Sequence, residues 1–175
     1  AWGGGNQFAN AFIDYLVQRG HEVVFDLKHS PDLVFINEGV SAAVHFSALD
    51  VARYQTRHPD ALVVHRVNEC DQRKGTNHVD AALRATNRAA QRTVFISQWL
   101  RDYHRWDAPG QTVITNGCDL SIFYPGNVWT EELPFRLVTH HWSPNWNKGF
   151  SVYQALDAAI ADGSLPGVDL TIIGQ

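Results

Sequence analysis

Four short runs constrain this chain most: "PDLVFIN" at residues 31–37, "ALVVHRV" at 61–67, "TVFIS" at 93–97 and "TVIT" at 112–115. Each is apolar almost throughout, and stretches of helical periodicity separate one from the next. A strand with one wet face alternates apolar and polar residues, whereas a strand apolar throughout is buried on both faces. Successive strands joined through helices run parallel, since a parallel pair needs a long crossover. The pattern therefore predicts an α/β fold, a Rossmann-like parallel sheet with helices on both faces.

The helical segments support this. Phe8, Phe12, Leu16 and Val17 recur at helical spacing, with Asn6 as a cap and Gly20 as the stop. "HEVVFDL", residues 21–27, reads as a further strand. Helices are expected over "FSALDVARYQTRH", over residues 79–91 and over "QWLRDYHRW", with a polar loop, "NECDQRKGTNH", after the second run.

At "NGCDLSIFYPGNVWTEELP" the periodic apolar residues give way to proline, glycine and paired acids, which marks an interdomain connection. The rhythm then restarts with strand "FRLVTHH", a helix from about Lys148 to Ala161 and strand "VDLTIIG". The expected organisation is a first domain over residues 1–127, its first strand apparently missing, and the beginning of a second Rossmann-like domain over 128–175. A partial second sheet would leave an exposed edge and an apolar helix face, to be completed by a missing C-terminal segment or by another polypeptide.

Composition narrows the partners. The 175 residues are 45% hydrophobic and 18% charged, a globular balance, and the net charge of -4 without any Lys/Arg block argues against a nucleic-acid surface. Cys70 and Cys118 are the two cysteines and lie far apart, which fits reduced thiols in a cytoplasmic protein. No run approaches the roughly 18 apolar residues of a membrane span.

Ligands of open parallel sheets bind beyond the carboxyl ends of the strands. Several polar residues are expected there: Gly3, Gly4 and Gly5 before the first helix, Asn37 and Glu38, His65, Ser97, Asn116, and the segment from His140 to Lys148. The glycines let backbone N–H groups approach an anion, although a plain turn explains them as well. Lys148-Gly149 opens a helix, so a cation and the positive helix end would address one anion; a surface lysine there would be mildly unfavourable against the dipole. His140 and His141 are adjacent on a strand, point to opposite sides and do not form a shared metal site. Trp142 and Trp146 fit sugar stacking and interdomain packing equally. His65 is expected at a strand end, followed by Arg66, Asn68, Glu69 and Asp71, with a ligand-facing and a structural role both open. Asp119, after Asn116-Gly117, reads more simply as a turn residue than as a catalytic carboxylate.

These residues resemble the retaining GT-B glycosyltransferases of family 4. The likeness lies in "GGGNQFANAFIDYLVQRGHEV", "TVFISQWLRDYH", "VITNGCDLSIFYP" and "NWNKGFSVYQALDAAIADG" followed by "VDLTIIG", in the family's order over nearly the whole chain. It implies an acceptor-binding domain and a nucleotide-sugar-binding domain flanking a cleft, and sugar transfer with retention. The co-substrate would be a nucleotide-diphosphate sugar, with no other cofactor and no metal. The acceptor would be a glycan, a lipid-linked molecule or a small molecule, and peripheral contact with the inner membrane surface is compatible with it.

By position, Gly4 and Gly5 match the family's glycine loop, with Asn6 beside it. Lys148 matches the basic residue on the diphosphate, backed by Gly149, and His65 approximately matches a histidine near the transferred sugar. Lys148 and His65 are thus the expected catalytic residues, with Asn116 and His141 among the binding residues. The arginine that commonly precedes the lysine is absent, or replaced by His141. On this resemblance the family's E-x7-E motif would be expected beyond Gln175, as no glutamate follows Glu132. The 175 residues alone are accordingly expected to show no turnover. Two other classes compete: a non-catalytic sugar- or nucleotide-binding module of the same fold, and a nicotinamide-dependent oxidoreductase, which lacks its glycine fingerprint here.

Overall fold

The structure is a computed structural model that describes residues 4–37, 46–107, 110–126, 130, 134–141 and 145–174. It divides into two compact units, residues 1–117 and 118–175, so the division falls ten residues before the expected 127/128 boundary. Its chemistry is local: Asp119 Oδ1 accepts hydrogen bonds from the Ser121 N–H at 2.8 Å and hydroxyl at 2.6 Å, which makes Asp119 a turn residue. These bonds hold its carboxyl below the usual value.

The first unit is a four-stranded parallel sheet in the order β1-β2-β3-β4. Its strands are β1 (Leu33–Ile36), β2 (Leu62–Val67), β3 (Arg92–Phe95) and β4 (Gln111–Val113), each at one of the four apolar runs. The helices are α1 (Gly4–Gln18), α2 (Ala48–Arg57), the single turn α3 (Asp71–Lys74), α4 (Val79–Asn87) and α5 (Gln98–His104). Helix α2 starts directly after Ser47 because Ser47 and Asp50 form a reciprocal capping box. Parallel α/β architecture of this kind is consistent with a Rossmann-like fold.

Register separates the two faces. Val34, Ile36, Val63, His65, Val67, Thr93 and Phe95 share one face, because Ile36 pairs with His65, His65 with Thr93, and Val67 with Phe95. Val51 and Tyr54 of α2 complete one apolar cluster on that face, and Leu83 of α4, Leu100 of α5 and Trp106 complete the next. The other face carries Phe35, Val64 and Arg66, and α1 lies on it. Phe12 meets Phe35 at 4.8 Å between ring centroids, and Phe8 meets it at 6.2 Å.

Two local expectations are corrected and a third holds. "HEVVFDL" forms no strand: its backbone has no ladder partner among the described residues, and Asp26 turns the chain by accepting from Lys28 N at 2.8 Å. Its apolar signal serves packing instead, with Leu27 against the β1–α2 cluster. Asn6 is not a cap, because α1 already begins at Gly4. The stop at Gly20 holds, with φ of 83° and its N–H on the Val17 carbonyl at 3.0 Å.

The second unit contains β5 (Phe135–His141), α6 (Phe150–Ala161) and β6 (Val168–Gly174), with β5 and β6 parallel and in register from Phe135–Val168 to His141–Gly174. No described side chain of this unit is fully buried. Val138 is 65% exposed and Ile172 55%, so the sheet keeps large apolar surface open to solvent. Cys70 is buried and Cys118 exposed, and both are free thiols. Among the described residues no helix is long and apolar enough to cross a membrane.

Candidate functional site

The carboxyl edge of the first sheet is organised by Arg66. On β2, Arg66 lies one residue beyond His65 and therefore on the opposite face, toward α1. It is 4% exposed, and its guanidinium spans two strand ends: one terminal nitrogen donates to Asn37 Oδ1 at 2.8 Å and the other to Asn116 Oδ1 at 2.8 Å. Its carbon lies 3.8 Å from the centroid of the Phe8 ring. Asn37 in turn donates from Nδ2 to the Gly5 carbonyl at 3.5 Å, which ties the first turn of α1 to the same point. Arg66, Asn37, Asn116 and the glycine end of α1 thus converge on one edge. Burial lowers the guanidinium's proton affinity from its usual value, and no carboxylate pairs with it among the described residues.

His65 is not at a strand end. Strand β2 continues to Val67, and the His65 side chain is 0% exposed inside the α4–β3 layer. Asn87 Nδ2 bonds to His65 Nδ1 at 3.0 Å and to Thr93 Oγ1 at 2.9 Å. An amide nitrogen only donates, so Nδ1 accepts and the neutral imidazole carries its proton on Nε2. That Nε2 is buried without a hydrogen-bond partner among the described residues, as is Trp106 Nε1. Burial, with a smaller effect from His104, pulls the His65 pKa down to about 4.

The loop after β2 is held by two aspartates. Asp71 accepts from Thr76 Oγ1 at 2.6 Å, Val79 N at 2.9 Å and Asp80 N at 3.1 Å, while Asp80 accepts from Asp71 N at 2.8 Å and Tyr103 OH at 2.7 Å. This exchange shapes "NECDQRKGTNH" into a fixed turn and engages both oxygens of each carboxylate.

In the second unit, Lys148 does not open the long helix. It closes a 3-10 turn, Trp146–Lys148, and α6 begins after Gly149. Gly149 has φ of 94°, and a Cβ there would come within 3.2 Å of the Tyr153 hydroxyl, so glycine is required structurally. The Tyr153 hydroxyl donates to the Lys148 carbonyl at 2.9 Å, which fixes the lysine backbone beside the helix start while its side chain stays exposed. His141 is half-buried against Phe150 at 5.5 Å, whereas His140 is exposed, so the two diverge as their strand spacing requires. Trp146 stacks on Phe150 of its own unit at 5.6 Å. Gly3, Glu38 and Trp142 lie outside the described residues.

Arg66 is the residue that sequence reasoning passed over. Period-two parity in "LVVHRV" carried the signal: an arginine inside a continuously apolar strand needs buried partners. Among the described residues no group of three or more His, Cys, Asp or Glu side chains is placed to hold a metal ion. No protein-family model matches this chain, and no curated protein matches it significantly.

Proposed function

We propose that the protein transfers a sugar from a nucleotide-diphosphate sugar to an acceptor, with retention of anomeric configuration, as its resemblance to GT-B glycosyltransferases implies. The observation that carries this reading is the polar convergence at the carboxyl edge of the first parallel sheet, where open α/β folds bind their ligands. The ordered series of matching segments along the chain supports it further. In this reading the first unit receives a glycan or lipid-linked acceptor and the second holds the donor.

Departure of a nucleoside diphosphate builds negative charge on the leaving oxygen as the glycosidic bond breaks. A cation and a helix N-terminus stabilise that charge more in the transition state than in the ground state. Lys148 and the start of α6 supply both, so Lys148 is the catalytic candidate. His65 is a positioning residue: buried and neutral, it supports the strand that presents Arg66. Lys148→Ala in the full-length protein is expected to lower turnover at least tenfold, about 1.4 kcal/mol of barrier. Steady-state rates within twofold of wild type would remove Lys148 from the reaction.

The loop before Lys148 has no arginine, which favours one alternative, a binding module of the same fold without the chemistry. A screen of nucleotide-diphosphate sugars decides between them. Donor binding with hydrolysis or transfer supports the enzyme; donor binding with neither supports the module.

A further inference from the structure

We propose that Arg66 is the primary contact for an oxyanion group, phosphate or carboxylate, of a ligand at the carboxyl edge of the first sheet. The inference stands on the geometry of the first unit and does not require sugar transfer.

A buried guanidinium is costly unless charge or hydrogen bonds compensate it. Arg66 is 4% exposed, yet what meets it among the described residues is neutral: two asparagine oxygens and the face of Phe8. A strut between β1 and β4 needs no charge, and a neutral amide side chain would span such a gap at less desolvation cost. The fold also brings a second positive pole to the same place. Gly5 in the first turn of α1 is tied to Asn37, Phe8 one turn further on lies under the guanidinium, and that first turn contains no acidic residue. The helix N-terminus carries roughly half a positive charge, so fold and arginine set like charges side by side. An oxyanion resolves that conflict, and it suits the planar donor fork of arginine. Asn37 and Asn116 each take one N–H by a side-chain oxygen, which fixes the plane of the fork and leaves the remaining N–H groups without an acceptor among the described residues. The site is therefore preorganised, which limits the entropy lost when an anion binds.

Thermal unfolding of the full-length protein in sodium phosphate, sodium acetate and sodium chloride at equal ionic strength tests this. A rise in Tm of at least about 2 °C over chloride is expected at about 20 mM phosphate or acetate. The anion giving the larger rise identifies the ligand group as phosphate or carboxylate. In Arg66→Gln the rise is expected to vanish, while in Lys148→Ala it persists, which separates this site from the start of α6. Equal Tm in all three salts, or an undiminished rise in Arg66→Gln, overturns the proposal. Should Arg66→Gln fail to fold, Asn116→Asp decides. A carboxylate beside the guanidinium supplies the counter-charge internally, so Tm in chloride increases and the anion-dependent rise disappears; an unchanged rise in that variant overturns the proposal. Donor transfer is measured separately, so failure of this site and failure of the proposed reaction are distinguishable.

Discussion

Replacing Phe95 with alanine is expected to destabilise the first unit by about 3–5 kcal/mol, the range for deleting a buried aromatic ring. Phe95 is 0% exposed on β3, its ring lies 5.7 Å from that of Trp106 and 6.1 Å from that of His104, and it shares a cluster with Val67, Leu83 and Leu100. Neighbours on β2, α4 and α5 cannot all collapse into the void, because each is fixed by its own strand or helix. Native-state hydrogen exchange of the β2 amides reads this opening without interference from the second unit. Protection reduced by less than about 1 kcal/mol would mean that the site relaxes, and that the cluster does not hold the sheet together.

The second large effect is a dependence of stability on pH carried by His65. Its pKa is lowered in the folded protein from 6.5 to about 4, first by burial and then by His104. The unfolded chain therefore takes up this proton before the folded chain does. Stability from the neutral imidazole is fully present above about pH 6.5. It falls by about 1.4 kcal/mol per pH unit as the pH drops toward 4, a total on the order of 3 kcal/mol. The comparison that isolates the residue is urea unfolding of wild type and His65→Gln at pH 7 and pH 4, since other groups contribute equally to both. The variant should lose less stability than wild type over that interval. Equal losses would show that His65 is solvated or protonated in the folded state, against the geometry of its contact with Asn87.

These two residues also show how much was legible in advance. The run "TVFIS" announces Phe95 as part of a buried strand. "LVVHRV" announces a buried strand too, but not where it stops. Because the strand continues two residues beyond His65, the edge role passes from the histidine to Arg66, and one step along a strand reverses the face. The partners of Arg66 come from positions 29 and 50 residues away in sequence, Asn37 and Asn116, and no local pattern links them. "HEVVFDL" fails for the complementary reason: β propensity needs a neighbouring strand, and the Asp26 turn takes its place. At Lys148 the sequence places the helix start two residues early, because the 3-10 turn and the left-handed Gly149 share the polar composition of a helix start.

What the sequence determined by itself is the parallel α/β architecture, since unbroken apolar runs between amphipathic helices have few other ways to bury both faces. It determined the turn chemistry of Asp119 as well. Only the tertiary structure decided which polar residue reaches the carboxyl edge and which stays inside the sheet. That choice depends on strand length, register and the approach of α1, and these are set by contacts between segments rather than by the segments themselves.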